Sequence, residues 1–299
     1  MFLSDYFSSD SILKDTAFDR LCLSNSPPCG KGLSFLEDLR FLDELNENRG
    51  IAAVICTADV VEHLSAHIQG VVVSEQPRIS FFRLHNRLSQ DPAYAPPLSP
   101  TKMGRGCVVS PLAVIDPLGV ELGEHVVIEE FVVIHGPCRI GDNTVIHSGV
   151  KIGEAGFESK RLEEGMLDVA HCGSVEIGHD VVIWENSSIH RALYPWDSTK
   201  IGNYVRVNAH CHIDHGAKIG DYSKLCAGAI ISGRTEIGAS AYIGPGAVVS
   251  NRLNLGDKAR ASIGSVVTRD IAEGKTVSGN FAIDHQQFLD HLRKIRGSR

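Results

Sequence analysis

The stretch IGNYVRVNAHCHIDHGAKIGD, from Ile201 to Asp221, keeps a beat of six. Ile201, Val207, Ile213 and Ile219 are large and apolar, and glycine follows Ile201 and Ile219. Stepping by six in both directions, the register runs from Ile177 to Val267. Fourteen of those sixteen positions are Ile, Leu or Val, and Pro195 and Ala261 are the departures. An earlier block, Leu122, Ile128, Ile134, Ile140, Ile146 and Ile152, keeps its own phase. The residue four past the anchor is mostly small, as at Ser187, Cys211, Ala217, Ser223, Ala229, Ala241, Ala247 and Ala259.

An α-helix repeats every 3.6 residues and a strand every two, so a period of six is neither face alone. It fits a short strand and a tight corner, repeated, with the large anchor inward and the small residue at the bend. Three such sides close a turn of eighteen residues, and turns stack at about 4.8 Å. The expected fold is therefore mainly β, a parallel β-helix of hexapeptide repeats over residues 101–270. The beat lapses in 153–176, which reads as an inserted loop.

Residues 1–100 differ. IAAVICT and GVVVS read as buried strands, FLEDLRFLDELNE and RISFFRLHNRLSQ as amphipathic helices, and together they predict a small α/β domain. The proline-rich YAPPLSPTKM separates it from the repeats. The segment 271–299 is a tail ending in FAIDHQQFLDHLRKIRGSR, read as a short helix with a basic end at Arg293, Lys294, Arg296 and Arg299.

Composition excludes several classes. The chain has 299 residues, 43% of them hydrophobic, and a formal net charge of -7. That balance argues against a dedicated nucleic-acid binder, which needs a basic surplus to neutralise phosphates. Eight cysteines are scattered without a CxxC pair, as expected for free thiols in a reducing compartment. No apolar run approaches the length of a membrane span and the N-terminus lacks a basic region before an apolar core, so the expected location is cytoplasmic.

Several segments together resemble the UDP-3-O-acylglucosamine N-acyltransferases of lipid A synthesis and, more loosely, other N-acyltransferases of nucleotide-linked amino sugars. They are GLSFLEDLRFLDEL, IAAVICT and GVVVSEQPRISFFRL near the N-terminus, then SVEIGHDVVIWENSSIHRAL and the HIDHGAKIG stretch. The resemblance implies a left-handed coil and a homotrimer with active sites between neighbouring coils. It also implies a role in lipopolysaccharide or surface polysaccharide assembly. No tightly bound cofactor is implied; the co-substrate is an acyl-coenzyme A or an acyl carrier protein, for which the basic tail offers a surface.

The resemblance puts the general base at His215, and the eighteen-residue turn tests its neighbourhood. One turn earlier stands Asp197 and one turn later Gly233 (215 − 18 and 215 + 18). A carboxylate beside an imidazole orients it and stabilises the imidazolium, and a bare peptide N–H can hold an oxyanion. The catalytic set read from the sequence is thus His215, Asp197 and Gly233. Cys211 and Cys226 are small coil residues and poor nucleophile candidates.

For substrate, the resemblance points to an aromatic pair with a polar residue between, occupied here by Phe35, Asp38 and Phe41. Aspartate there lacks the amide that would read uracil, which leaves another pyrimidine such as dTDP open. His190 and Arg191, in SIHRALYPWD, and His210 are assigned to the sugar site. Arg252 stands where the lipid A enzymes carry a second histidine, and Arg234 lies one turn before it (252 − 18). Two guanidiniums about one strand spacing apart favour a phosphate of the acyl donor or of the nucleotide.

Two other readings stay open. The γ-class carbonic anhydrases use the same coil with zinc-bound histidines, and His210 and His215 match the five-residue spacing of two of those ligands. The third position, near 174, holds Ser174, with His171 and His179 nearby, so no metal is assigned. The other reading is a non-catalytic trimeric scaffold whose N-terminal domain binds a ligand.

Overall fold

A computed structural model describes residues 1–26, 30–279 and 284–297, without the side chains of 295 and 296. The chain divides into two compact units. The first comprises Met1–Pro97 with Phe157–Cys172 and Leu193–Pro195, and the second comprises Leu98–Gly156, Gly173–Ala192 and Trp196–Arg299.

The first unit holds a five-stranded sheet whose spatial order is Ile12–Lys14, Gly70–Val73, Ile51–Cys56, Gly32–Leu36 and Arg20–Leu21. The Ile12–Lys14 edge runs antiparallel and the rest are parallel. IAAVIC is apolar throughout because it is a central strand, with Ala53, Val54, Ile55 and Cys56 fully buried. The helix Pro77–Leu88 opens on proline, which suits the first helical position. It buries Phe81, Phe82, Leu84 and Leu88.

The segment that interrupts the beat is a hairpin, Ser159–Leu162 with Gly165–Asp168, inside this first unit. The helix grips its return. The Asn86 side chain donates to the Asp168 carbonyl at 2.7 Å and accepts from the Ala170 N–H at 2.9 Å. Fully buried His85 bonds the Ala170 carbonyl through Nε2 and the Tyr94 hydroxyl through Nδ1. A carbonyl accepts only, so Nε2 carries the proton and Nδ1 accepts from the tyrosine.

The second unit is the coil. Three parallel sheets of nine, eight and eight short strands run its length. Consecutive turns pair eighteen residues apart, as in Lys200↔Lys218, Arg206↔Lys224 and His212↔Ile230. This is the parallel β-helix that the six-residue beat implies. The anchors form one core, in which Ile183, Ile213, Ile231 and Ile243 have no exposure. Burying each such side chain contributes about 1.5–3 kcal/mol. Ala217, Ala229, Ala241, Ala247 and Ala259 are equally buried, which explains the need for small residues there.

Two excursions interrupt the regular turn. Ile152 pairs with Ile189, 37 residues on (189 − 152), and Ile189 pairs with Ile213, 24 on (213 − 189). The second exceeds a turn by six, one hexad, so the beat passes through Pro195 in phase although Leu193–Pro195 belongs to the first unit. A helix, His285–Gly297, ends the described chain. It carries Arg293 and Lys294; Arg299 and the Arg296 side chain lie outside the described residues. Among the described residues no helix is long and apolar enough to cross a membrane, and every cysteine is a free thiol.

Candidate active site

The strand His212–Ile213 lies between Ser188–His190 and Ile230–Ile231 on one side of the coil. Its inward residue is Ile213, and the chain then turns a corner at Asp214 and His215. That corner is held from within and from the turn before: the His215 N–H donates to Asp214 Oδ1 at 2.7 Å, and the Gly216 N–H to Thr199 Oγ1 at 2.8 Å.

The His215 side chain is 13% exposed. Its ring lies against Gly233, one turn on: a Cβ at position 233 would stand 2.7 Å from Cε1 and 2.8 Å from Nε2. Only glycine leaves room for the imidazole. At His215 the corner N–H is taken by Asp214, whereas no acceptor among the described residues bonds the N–H of Gly233. Serine precedes Gly233 where aspartate precedes His215.

Asp197 keeps its place one turn before His215, where Lys200 pairs with Lys218. Its Oδ1 accepts from the Ser198 N–H at 2.9 Å, and its Oδ2 lies 3.4 Å from where a Cβ on Gly216 would be. The structure adds a second carboxylate that column reasoning missed. Asp214 Oδ2 is 4.0 Å from His215 Nε2, and Asp214 Oδ1 is 3.3 Å from His190 Nδ1. Burial alone would raise the Asp214 carboxyl, but the His190 hydrogen bond and the charge of His215 outweigh it and hold it at about 2. Asp214 is therefore a carboxylate at neutral pH.

His190 and His212 meet edge to face, with ring centroids 4.6 Å apart. Ser188 Oγ bonds His212 Nδ1 at 2.9 Å. Burial, then the neighbouring His190, lowers the His212 pKa. Arg191 bonds the preceding turn: its backbone N–H donates to the Glu154 carbonyl and its Nε to the Gly153 carbonyl. His210 is an exposed corner residue with φ of 57°. Arg234 and Arg252 occupy the same corner as Gly216 in successive turns, at φ of 59° and 60°, and their N–H groups donate to the His215 and Gly233 carbonyls. Cys211 is buried, which pushes its thiol up to about 11. Such a thiol is a poor nucleophile.

In the first unit, Phe35 packs against Phe81 and Phe82 at 4.9 and 6.1 Å between centroids. Phe41 is 43% exposed. Asp38 caps the short helical turn Leu39–Phe41, accepts from the Arg40 N–H and pairs with the Arg40 guanidinium.

Comparison with known proteins bears on this arrangement. A family model described as bacterial transferase hexapeptide (six repeats) matches residues 119–154 and 198–233. The chain is a homologue of the hexapeptide-repeat acyltransferases. A UDP-3-O-acylglucosamine N-acyltransferase of Coxiella burnetii is 28% identical over 216 residues, 61% of this chain and 59% of that one. One from Janthinobacterium is 36% identical over 80 residues, 25% of this chain and 23% of the relative. The chain thus spans about three-fifths of the length of the Coxiella relative. An Arabidopsis UDP-N-acetylglucosamine acyltransferase structure is 28% identical, with a TM-score of 0.53 over 60% of this chain and 61% of that one. One from Campylobacter jejuni, at 22% identity, superposes with a TM-score of 0.55 over 65% of this chain and 78% of that one, a likeness of fold.

Proposed function

We propose that this homologue transfers an acyl group from a thioester, carried by coenzyme A or an acyl carrier protein, to the amino group of a nucleotide-linked amino sugar. The observation that carries the reading is the His215 ring seated on Gly233. It puts an imidazole next to a peptide N–H that bonds no acceptor among the described residues.

In the proposed course the neutral amine attacks the thioester carbonyl while His215 takes its proton, and the C–N bond forms directly. The Gly233 N–H donates to the oxyanion of the tetrahedral intermediate. Collapse breaks the C–S bond, and the imidazolium returns the proton to the departing thiolate. Asp214, by holding the corner N–H and standing beside the ring, orients the base, and Asp197, one turn earlier, is proposed to assist it. No covalent enzyme intermediate is required. His190 is proposed to face the sugar, Arg234 and Arg252 to meet a phosphate, and Phe35 and Phe41 to serve the nucleotide base. The proposed assembly is a homotrimer, and the proposed setting is lipopolysaccharide or surface polysaccharide synthesis in the cytoplasm.

The carbonic-anhydrase alternative needs a third histidine near position 174, where this chain has Ser174. The test is acyl transfer by the intact chain and by His215→Ala, with UDP- and dTDP-amino sugars offered against acetyl-coenzyme A and acyl carrier donors.

A further inference from the structure

We propose that His190, His212 and Asp214 form a site for one divalent transition-metal ion of the zinc class, separate from the proton-transfer role of His215. His190 and His212 come from two adjacent strands, and Asp214 from the corner that follows the second. Ser188 pairs with His212 and Ile189 with Ile213, which sets His190 opposite Asp214. One ligand atom from each of the three lies within 4.8 Å of the others. The His190 and Asp214 side chains are each 18% exposed, so the group is screened yet reachable.

The donor set selects the ion. Two imidazole nitrogens and one carboxylate oxygen suit zinc or cobalt; magnesium and calcium take mostly oxygen ligands. Three protein ligands leave a fourth tetrahedral position for water or a substrate atom. His212 already has the outer contact that ligating histidines use, since Ser188 Oγ bonds its Nδ1 and leaves Nε2 for the ion. The 88° angle between the two rings lets nitrogens approach one point from different directions without a clash of faces. An ion would replace the His190 to Asp214 hydrogen bond, leaving Asp214 to bridge it to the His215 corner.

The test is titration of the chelator-stripped, full-length protein with cobalt(II), followed by visible ligand-field absorption and by calorimetry. One cobalt per chain in a four-coordinate spectrum is expected, displaced by zinc. His190→Ala and His212→Ala should each weaken binding by about 10-fold or more, and Ser188→Ala by about 10-fold. His291→Asn, in the exposed C-terminal helix, should leave it unchanged. Far-UV circular dichroism shows whether each variant keeps its fold. Absence of saturable cobalt binding, or the same affinity in a folded His190→Ala His212→Ala double variant, overturns the site. Because binding is read without turnover, its failure is distinct from failure of the acyltransferase reading.

Discussion

The His215 ring fills the space that a side chain at position 233 would need, and a Cβ there would lie 2.7 Å from its Cε1. The two residues stand eighteen apart because a turn of the coil takes eighteen. A hexad pattern has thereby become a contact between an imidazole and a peptide unit.

Gly233→Ala tests that contact. The added methyl must displace the ring, since the opposing atoms belong to a stiff imidazole. A displacement of about 1 Å is enough to cost about 10²-fold in rate. The expected outcome is a fall in kcat of that order with the melting temperature nearly unchanged, read by steady-state kinetics and thermal unfolding.

Asp214→Asn separates the two carboxylates. The amide still accepts the His215 N–H, but the charge beside the ring is gone. It should lower kcat by about 10-fold or more, with a smaller effect on KM, because the charge stabilises the imidazolium formed in the transition state. Asp197→Asn, whose carboxylate accepts from the Ser198 N–H, should have the smaller effect.

The coil was legible in the residues because a large anchor every six and a small residue four later are what three flat sides and tight corners require. The site was legible only in part. Asp197, His215 and Gly233 follow a step of eighteen, but His190 reaches Asp214 across 24 residues, because the excursion that contains Leu193–Pro195 adds a hexad to that turn. An insertion of one full period leaves the pattern in phase and hides itself. Asp214 escaped for a second reason: it adjoins His215 in the chain and faces it only because the corner folds back. The lapse at 153–176 could be seen, but not that its hairpin would be held by Asn86 and His85, whose hydrogen bonds carry no periodic signal.

His85 gives the first unit a pH dependence. Burial lowers its pKa from the ordinary 6.5. The unfolded chain then takes up a proton at a higher pH than the folded one. No penalty exists well above 6.5, and stability falls as pH drops below 6.5 toward the lowered folded value. Thermal unfolding from pH 8 to 5 should show this loss. His85→Phe should flatten the slope while lowering stability at pH 8 by about 1–3 kcal/mol, since the Tyr94 hydroxyl and the Ala170 carbonyl lose their partner.

The most direct measurement is the turnover number of His215→Ala beside the parent chain, on whichever amino-sugar nucleotide and thioester pair the parent turns over fastest. Loss of a general base should cut kcat by about 10²–10⁴-fold while the coil still unfolds at the parent's temperature. A correctly folded His215→Ala protein that acylates within about twofold of the parent would contradict the assignment of His215 as the base.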